Sequence, residues 1–174
     1  MKKISVKQLT LCAMLIAMSV VIGIFCKSVL TLGGGLFRIT FENLPIILSG
    51  IIFGPVFGGA VGLCSDIISY LLSGQAYPLN VIVTVGAVSV GIVSGIVSRY
   101  VVKERGVLQA AVSAGAAHIV GSMIIKPIGL FSYYGIAVLW RIPIYIVIAT
   151  LEIILICVLM KRGAFLRLID GVER

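Results

Sequence analysis

The chain has 174 residues, 60% of them hydrophobic and only 11% charged, with a mean hydropathy of +1.23. A soluble domain carries about 25% charged residues, so the composition excludes an ordinary soluble enzyme; a single integral membrane domain over residues 1–174, with the lipid bilayer as its solvent, is expected. The net charge of +8 does not indicate nucleic acid, because most of the excess cations lie at span ends on one side, where the positive-inside bias accounts for them.

Six apolar spans are expected, the first over residues 9–25. Met1-Lys2-Lys3 imitates the start of a signal peptide, but the run ends Ile24-Phe25-Cys26-Lys27 without a small-x-small cleavage site, so a retained span is expected. Ala13 and Ala17 share one helix face. A small-xxx-small pair lets another helix approach closely in lipid, either within the bundle or on a partner membrane protein. The outer connection over residues 26–41 contains Leu32-Gly33-Gly34-Gly35-Leu36-Phe37-Arg38, the composition of a loop able to fold over a ligand.

Leu44 to Leu72 is too long for one span, and Gly54-Pro55 is a turn signal within it. Charge arbitrates. Two spans, 42–53 and 56–72, joined by a tight inner turn, keep Arg99, Lys103 and Arg105, then Lys161, Arg162 and Arg167, on the side of Lys2, Lys3 and Lys7. In the third span Gly58, Gly62, Asp66 and Tyr70 share a face, and a mid-membrane Asp66 needs a partner or water. It reads either as an interhelical anchor or as a ligand or relay group.

After an outer turn at residues 73–78, a fourth span covers 79–98. Ala87, Gly91 and Gly95 form a packing stripe there, with Asn80 and Thr84 at its outer end as candidate hydrogen-bond partners of a ligand. The fifth span, 107–125, carries the clearest pattern. Ala110, Ala114, His118, Ser122 and Lys126 recur every four residues, small at the inner end and increasingly polar outward. One wall of an outward-facing cavity has this gradient, although His118 alone also reads as an interhelical hydrogen bonder and Lys126 alone as a snorkelling cation. The outer connection 126–140 holds Tyr133 and Tyr134, and Trp140 ends it as either a ligand-stacking group or an interfacial aromatic. The sixth span, 141–160, places Arg141, Tyr145 and Glu152 near one face, with Arg141 at the outer mouth and Glu152 near the middle, before a short amphipathic tail. With both termini inside, only Lys27, Arg38, Lys126 and Arg141 of the fourteen cations fall outside. Such a cationic mouth suits an anionic ligand, and arginine binds a carboxylate bidentately.

The chain has no Gly-Lys dipeptide, hence no Walker A loop, and no HExxH or GxSxG motif. Cys12, Cys26, Cys64 and Cys157 form no CxxC pair and accompany one histidine, so no metal site or cofactor is expected and the cysteines read as small buried hydrophobes. No catalytic constellation can be assembled, and the expectation is a solute-binding membrane protein, not an enzyme.

Leu11-Cys12-Ala13-Met14-Leu15-Ile16-Ala17, Leu44-Pro45-Ile46 through Gly54-Pro55 to Asp66, Gly121-Ser122-Met123-Ile124-Ile125-Lys126, Tyr133-Tyr134-Gly135 and Leu139-Trp140-Arg141-Ile142-Pro143 together resemble the S component of energy-coupling factor (ECF) transporters, most closely the folate family. The resemblance covers nearly the whole chain. It implies an all-α, six-transmembrane-helix bundle with both termini cytoplasmic, in a bacterial plasma membrane. It implies capture of a vitamin at the outer side and docking through Ala13 and Ala17 onto a transmembrane coupling subunit that carries two ATPase subunits of an ABC-type importer. Folate would present its glutamate carboxylates to Arg38, Lys126 and Arg141, and its pterin to Phe37, Tyr133, Tyr134 or Trp140, with Asn80 at the ring edge; His118 and Tyr145 complete the candidate site, and Asp66 and Glu152 are buried polar groups. Pantothenate or riboflavin as ligand, or a stand-alone small carrier, are the alternatives, the last disfavoured by the lack of an inverted repeat.

Overall fold

In lipid each backbone polar group must be satisfied within the segment, and helices do this. The computed structural model describes residues 5–32, 37–72, 80–102, 104 and 106–162, and these are almost wholly helical. Helix α1 spans Val6–Val29 and begins with Gln8 Oε1 accepting from the Ser5 N–H at 3.3 Å. It leads into a short antiparallel pair, β1 (Thr31–Leu32) and β2 (Phe37–Arg38), with Thr31 opposite Arg38 and Leu32 opposite Phe37. The glycine run expected to cover a ligand, the turn containing Tyr77 and the C-terminal tail lie outside the described residues, as do the side chains of Phe37 and Arg38.

Helix α2 (Asn43–Phe53) is buried along nearly its whole length. It ends at Gly54 and α3 (Pro55–Leu72) starts at once. Gly54 has a φ of +94°, and a Cβ there would strike the Arg99 guanidinium. Arg99 Nη2 in turn donates to the Phe53 carbonyl at 2.6 Å, satisfying an orphan acceptor at the end of α2.

Helix α4 (Val81–Ile96) continues through a π-helical turn, Val97–Val101. It packs along α3 through the small-residue stripes of both helices. A Cβ on Gly58 would meet the Gly91 carbonyl, and one on Gly91 the Gly58 carbonyl. Backbone meets backbone here, the close approach that small residues permit in lipid. Asp66 belongs to this seam as well, accepting from Thr84 Oγ1 at 2.7 Å.

The remaining chain is one helical run from Val107 to Lys161, 55 residues long. Straight, it would measure roughly 80 Å against a hydrocarbon core of about 30 Å. It folds back instead. Helix α5 (Val107–Ala117) passes into a π-helical stretch, His118–Ile125, then α6 (Lys126–Tyr134), a 3-10 turn (Gly135–Trp140) and α7 (Arg141–Lys161), which returns alongside α5. Gly135, with φ of +55°, marks the bend. The connection expected over residues 126–140 is therefore itself helical. Pro127 does not interrupt it because proline is tolerated in the first turn of a helix.

Ile46, Ile47, Val61, Val90, Ala110, Ala114 and Ile156 fill the core around α2. Large apolar side chains such as Met14, Val21, Phe25, Val147 and Ile154 point outward. A soluble monomer does not carry apolar exposure on this scale, whereas in a bilayer these side chains face lipid. The four cysteines are free thiols.

Candidate functional site

The alanine-to-lysine stripe of the fifth span faces inward: Ala110, Ala114, His118, Ser122 and Lys126 are all buried. Its polar half borders a cavity of about 90 Å³. Thr40, Glu42 and Asn43 close it from the start of α2, Val83 from α4 and Leu130 from α6. Arg141, Tyr145 and Ile148 of α7 complete the wall.

Two cations converge there. Lys126 is 8% exposed and Arg141 6%, and burying charge is costly without partners. Lys126 Nζ donates to Asn43 Oδ1 at 2.9 Å and lies 3.7 Å from Glu42 Oε1. The Arg141 guanidinium sits over the Tyr134 ring, 4.7 Å from its centroid, a cation–π contact strengthened by its dry setting. Glu42 is held by its backbone too, since its carbonyl accepts from Ser19 Oγ at 2.7 Å.

From Lys126 a polar chain runs deeper. Asn43 Nδ2 donates to Ser122 Oγ at 3.4 Å, and Ser122 Oγ is 3.4 Å from His118 Nδ1. His118 Nε2 approaches Glu152 Oε2 to 2.7 Å. His118 is 1% exposed and Glu152 0%. The carboxylate stands off the ring N–H axis, so neither of its oxygens has a well-aligned donor among the described residues. The distance is nevertheless that of a close charge-assisted contact. His118 and Ser122 both lie in the π-helical stretch; such segments are frequent at functional sites, because the widened turn re-aims side chains.

Of the residues singled out from the sequence, His118, Lys126, Arg141 and Tyr145 border this one cavity, with Tyr134 stacked behind Arg141 and Glu152 behind His118. Asn80 is not in the wall. Its Oδ1 caps α4 by accepting from the Ile82 and Val83 N–H groups, and its Nδ2 donates to the Gly129 carbonyl at 2.6 Å. Trp140, 70% exposed, and Tyr133, also exposed, are outside the wall as well. Asp66 joins α3 to α4 away from the cavity. Ala13 and Ala17 are both exposed on α1, on a face no other described element covers. Sequence reasoning missed Glu42 and Asn43, whose only signal was a polar pair placed directly before the apolar run Leu44-Pro45-Ile46.

The structure is thus a lipid-facing helical bundle, a membrane protein with a cavity lined by two buried cations and a polar chain. The family model for the substrate-specific component of ECF transporters matches residues 7–166, and the chain belongs to that family. Its fold is similar to that of a crystal structure of FolT bound with folic acid, with a TM-score of 0.70 over 91% of this chain and 95% of that one, at 23% identity. An uncharacterized protein of Mycoplasma pneumoniae (strain ATCC 29342 / M129 / Subtype 1), the MG098 homolog, is 31% identical over 110 residues. That match takes in 58% of this chain but only 22% of the relative.

Proposed function

We propose that this chain is a folate-binding S component that captures the vitamin at the outer face of a bacterial plasma membrane. In this reading the chain crosses the membrane six times, with both termini in the cytoplasm. It delivers folate by docking on a transmembrane coupling subunit served by two ATPase subunits, and it hydrolyses no ATP itself.

The observation that carries the reading is the convergence of Lys126 and Arg141, both buried, on a single cavity. Both cations have partners inside the protein, and a ligand's carboxylate pair is the chemistry that can join or replace them. Folate offers that pair on its glutamate tail, and the fold is shared with a protein described as bound to folic acid. The exposed Ala13 and Ala17 supply a small, flat face for the coupling subunit. Ligand sites usually enclose about 300–1,000 Å³, more than the roughly 90 Å³ found here, so folate binding is expected to widen the cavity.

Calorimetry on purified protein without nucleotide tests the assignment. Arg141→Ala should weaken folate about 10- to 100-fold, the worth of a charge-assisted hydrogen bond. It should weaken a tail-less pterin far less. Equal losses for the two ligands would refute a carboxylate role for Arg141.

A further inference from the structure

The polar chain from Lys126 to Glu152 has a direction. An ammonium group only donates, so Asn43 must turn its oxygen to Lys126 Nζ and its amide N–H groups toward Ser122 Oγ. Ser122, accepting there, has its own proton free for His118 Nδ1. At the far end Glu152, an ionised carboxylate in this reading, only accepts, and it faces His118 Nε2. Each link is compatible with a donor-to-acceptor direction from Lys126 inward, and a neutral imidazole with its proton on Nε2, facing Glu152 at 2.7 Å, fits that direction.

We propose that Glu152 is a positioning residue: by holding the His118 proton on Nε2 it keeps Nδ1 an acceptor, so that an N–H donor of the ligand replaces the Ser122 hydroxyl at Nδ1 while the Lys126–Arg141 end takes its anion. His118 itself borders the cavity and Glu152 stands behind it, so the carboxylate acts through the ring and does not touch the ligand. The remaining titratable and charged groups facing the cavity are Glu42, Lys126, Arg141 and Tyr145. The first two form an ion pair at 3.7 Å. Resting on the folate reading, the proposal gives the ligand an orientation. The aminopyrimidinone edge of the pterin, rich in N–H groups, lies toward His118, and the glutamate carboxylates lie toward Lys126 and Arg141.

The chain has one histidine, so its imidazole nitrogens give an unambiguous signal in nitrogen NMR of labelled protein in detergent. Ligand-free protein should show a protonated Nε2 and a bare Nδ1. A proton on Nδ1, alone or together with one on Nε2, would overturn the proposal. Glu152→Gln should mix the two tautomers and weaken a tail-less pterin about three- to tenfold, while leaving p-aminobenzoylglutamate, which has the tail without the pterin, unchanged. Glu152→Asp should restore the wild-type nitrogen spectrum and guards against a glutamine variant that does not fold. An unchanged spectrum in Glu152→Gln, or equal losses for the two fragments, contradicts the positioning role. Wild-type protein that binds neither fragment refutes the folate reading and the orientation built on it. The tautomer is still decided by the ligand-free spectrum.

Discussion

The two sides of the bundle are held together in different ways. Along the α3–α4 seam, glycine meets backbone, so Gly58 and Gly91 leave no space for even one additional carbon. Between the start of α2, the π-helical stretch with the start of α6, and α7, the contacts are side chains of opposite polarity, Lys126 with Asn43 and Glu42, and His118 with Glu152, around a cavity. The first arrangement is rigid because close packing has no alternative geometry. The second can exchange an internal partner for a ligand group, since each of its hydrogen bonds has a polar substitute. The two arrangements share α4, which carries Gly91 in the seam and Val83 in the cavity wall, but they use different side chains, and mutations should separate them.

The largest effect is expected at the seam. Gly91→Leu forces a side chain into the Gly58 carbonyl and should cost about 3 kcal/mol or more, the upper end for overpacking. Thermal unfolding in detergent should show a collapsed midpoint or aggregation, with ligand binding lost only because the fold is lost. A well-folded Gly91→Leu protein would mean that the seam is looser than its backbone contacts indicate.

The cavity should behave in the opposite way. Lys126→Met keeps the apolar stem that packs against Gly86 but removes the ammonium. Folate affinity should fall about 10- to 100-fold, and the melting midpoint should move far less than in Gly91→Leu. A large loss of stability with affinity retained would place Lys126 with the structural half. The smallest effect on the isolated chain is expected on α1. Ala13→Leu with Ala17→Leu lies on an exposed face, so stability should stay within about 0.5 kcal/mol and folate affinity should not change. Uptake by cells supplying the coupling subunits should nevertheless be abolished. Uptake that persists would remove docking from this pair.

Much of this division can be read along the chain where a single helix face carries it. The stripe Ala110, Ala114, His118, Ser122 and Lys126 needs only its four-residue spacing to be recognised, and its members line up on the buried side of one helical run. The Gly58–Gly62 and Ala87–Gly91–Gly95 stripes are similarly visible, although nothing local tells that they meet each other. Glu42 and Asn43 were not legible as cavity residues, because their partners Ser122 and Lys126 lie 79 and 83 residues beyond Asn43 and depend on the register of α2 against the π-helical stretch and the start of α6. Asn80 misleads in the other direction. An asparagine at the outer end of a span looks available to a ligand, yet the same position is the N-cap of α4, where asparagine is favoured for bonding backbone N–H groups. Gly135 and Pro127 suggest a loop over residues 126–140, but one sits at the bend and the other in a first helical turn, so the chain stays helical between them.

What Lys126 and Arg141 hold decides the role of the cavity. An experimental structure of the purified protein with folate added would decide this directly. The prediction is that the glutamate carboxylates lie within about 3 Å of Lys126 Nζ and the Arg141 guanidinium, with the pterin toward His118. Carboxylates found away from both cations, or a cavity that stays closed around Glu42 and Lys126 at saturating folate, would contradict it.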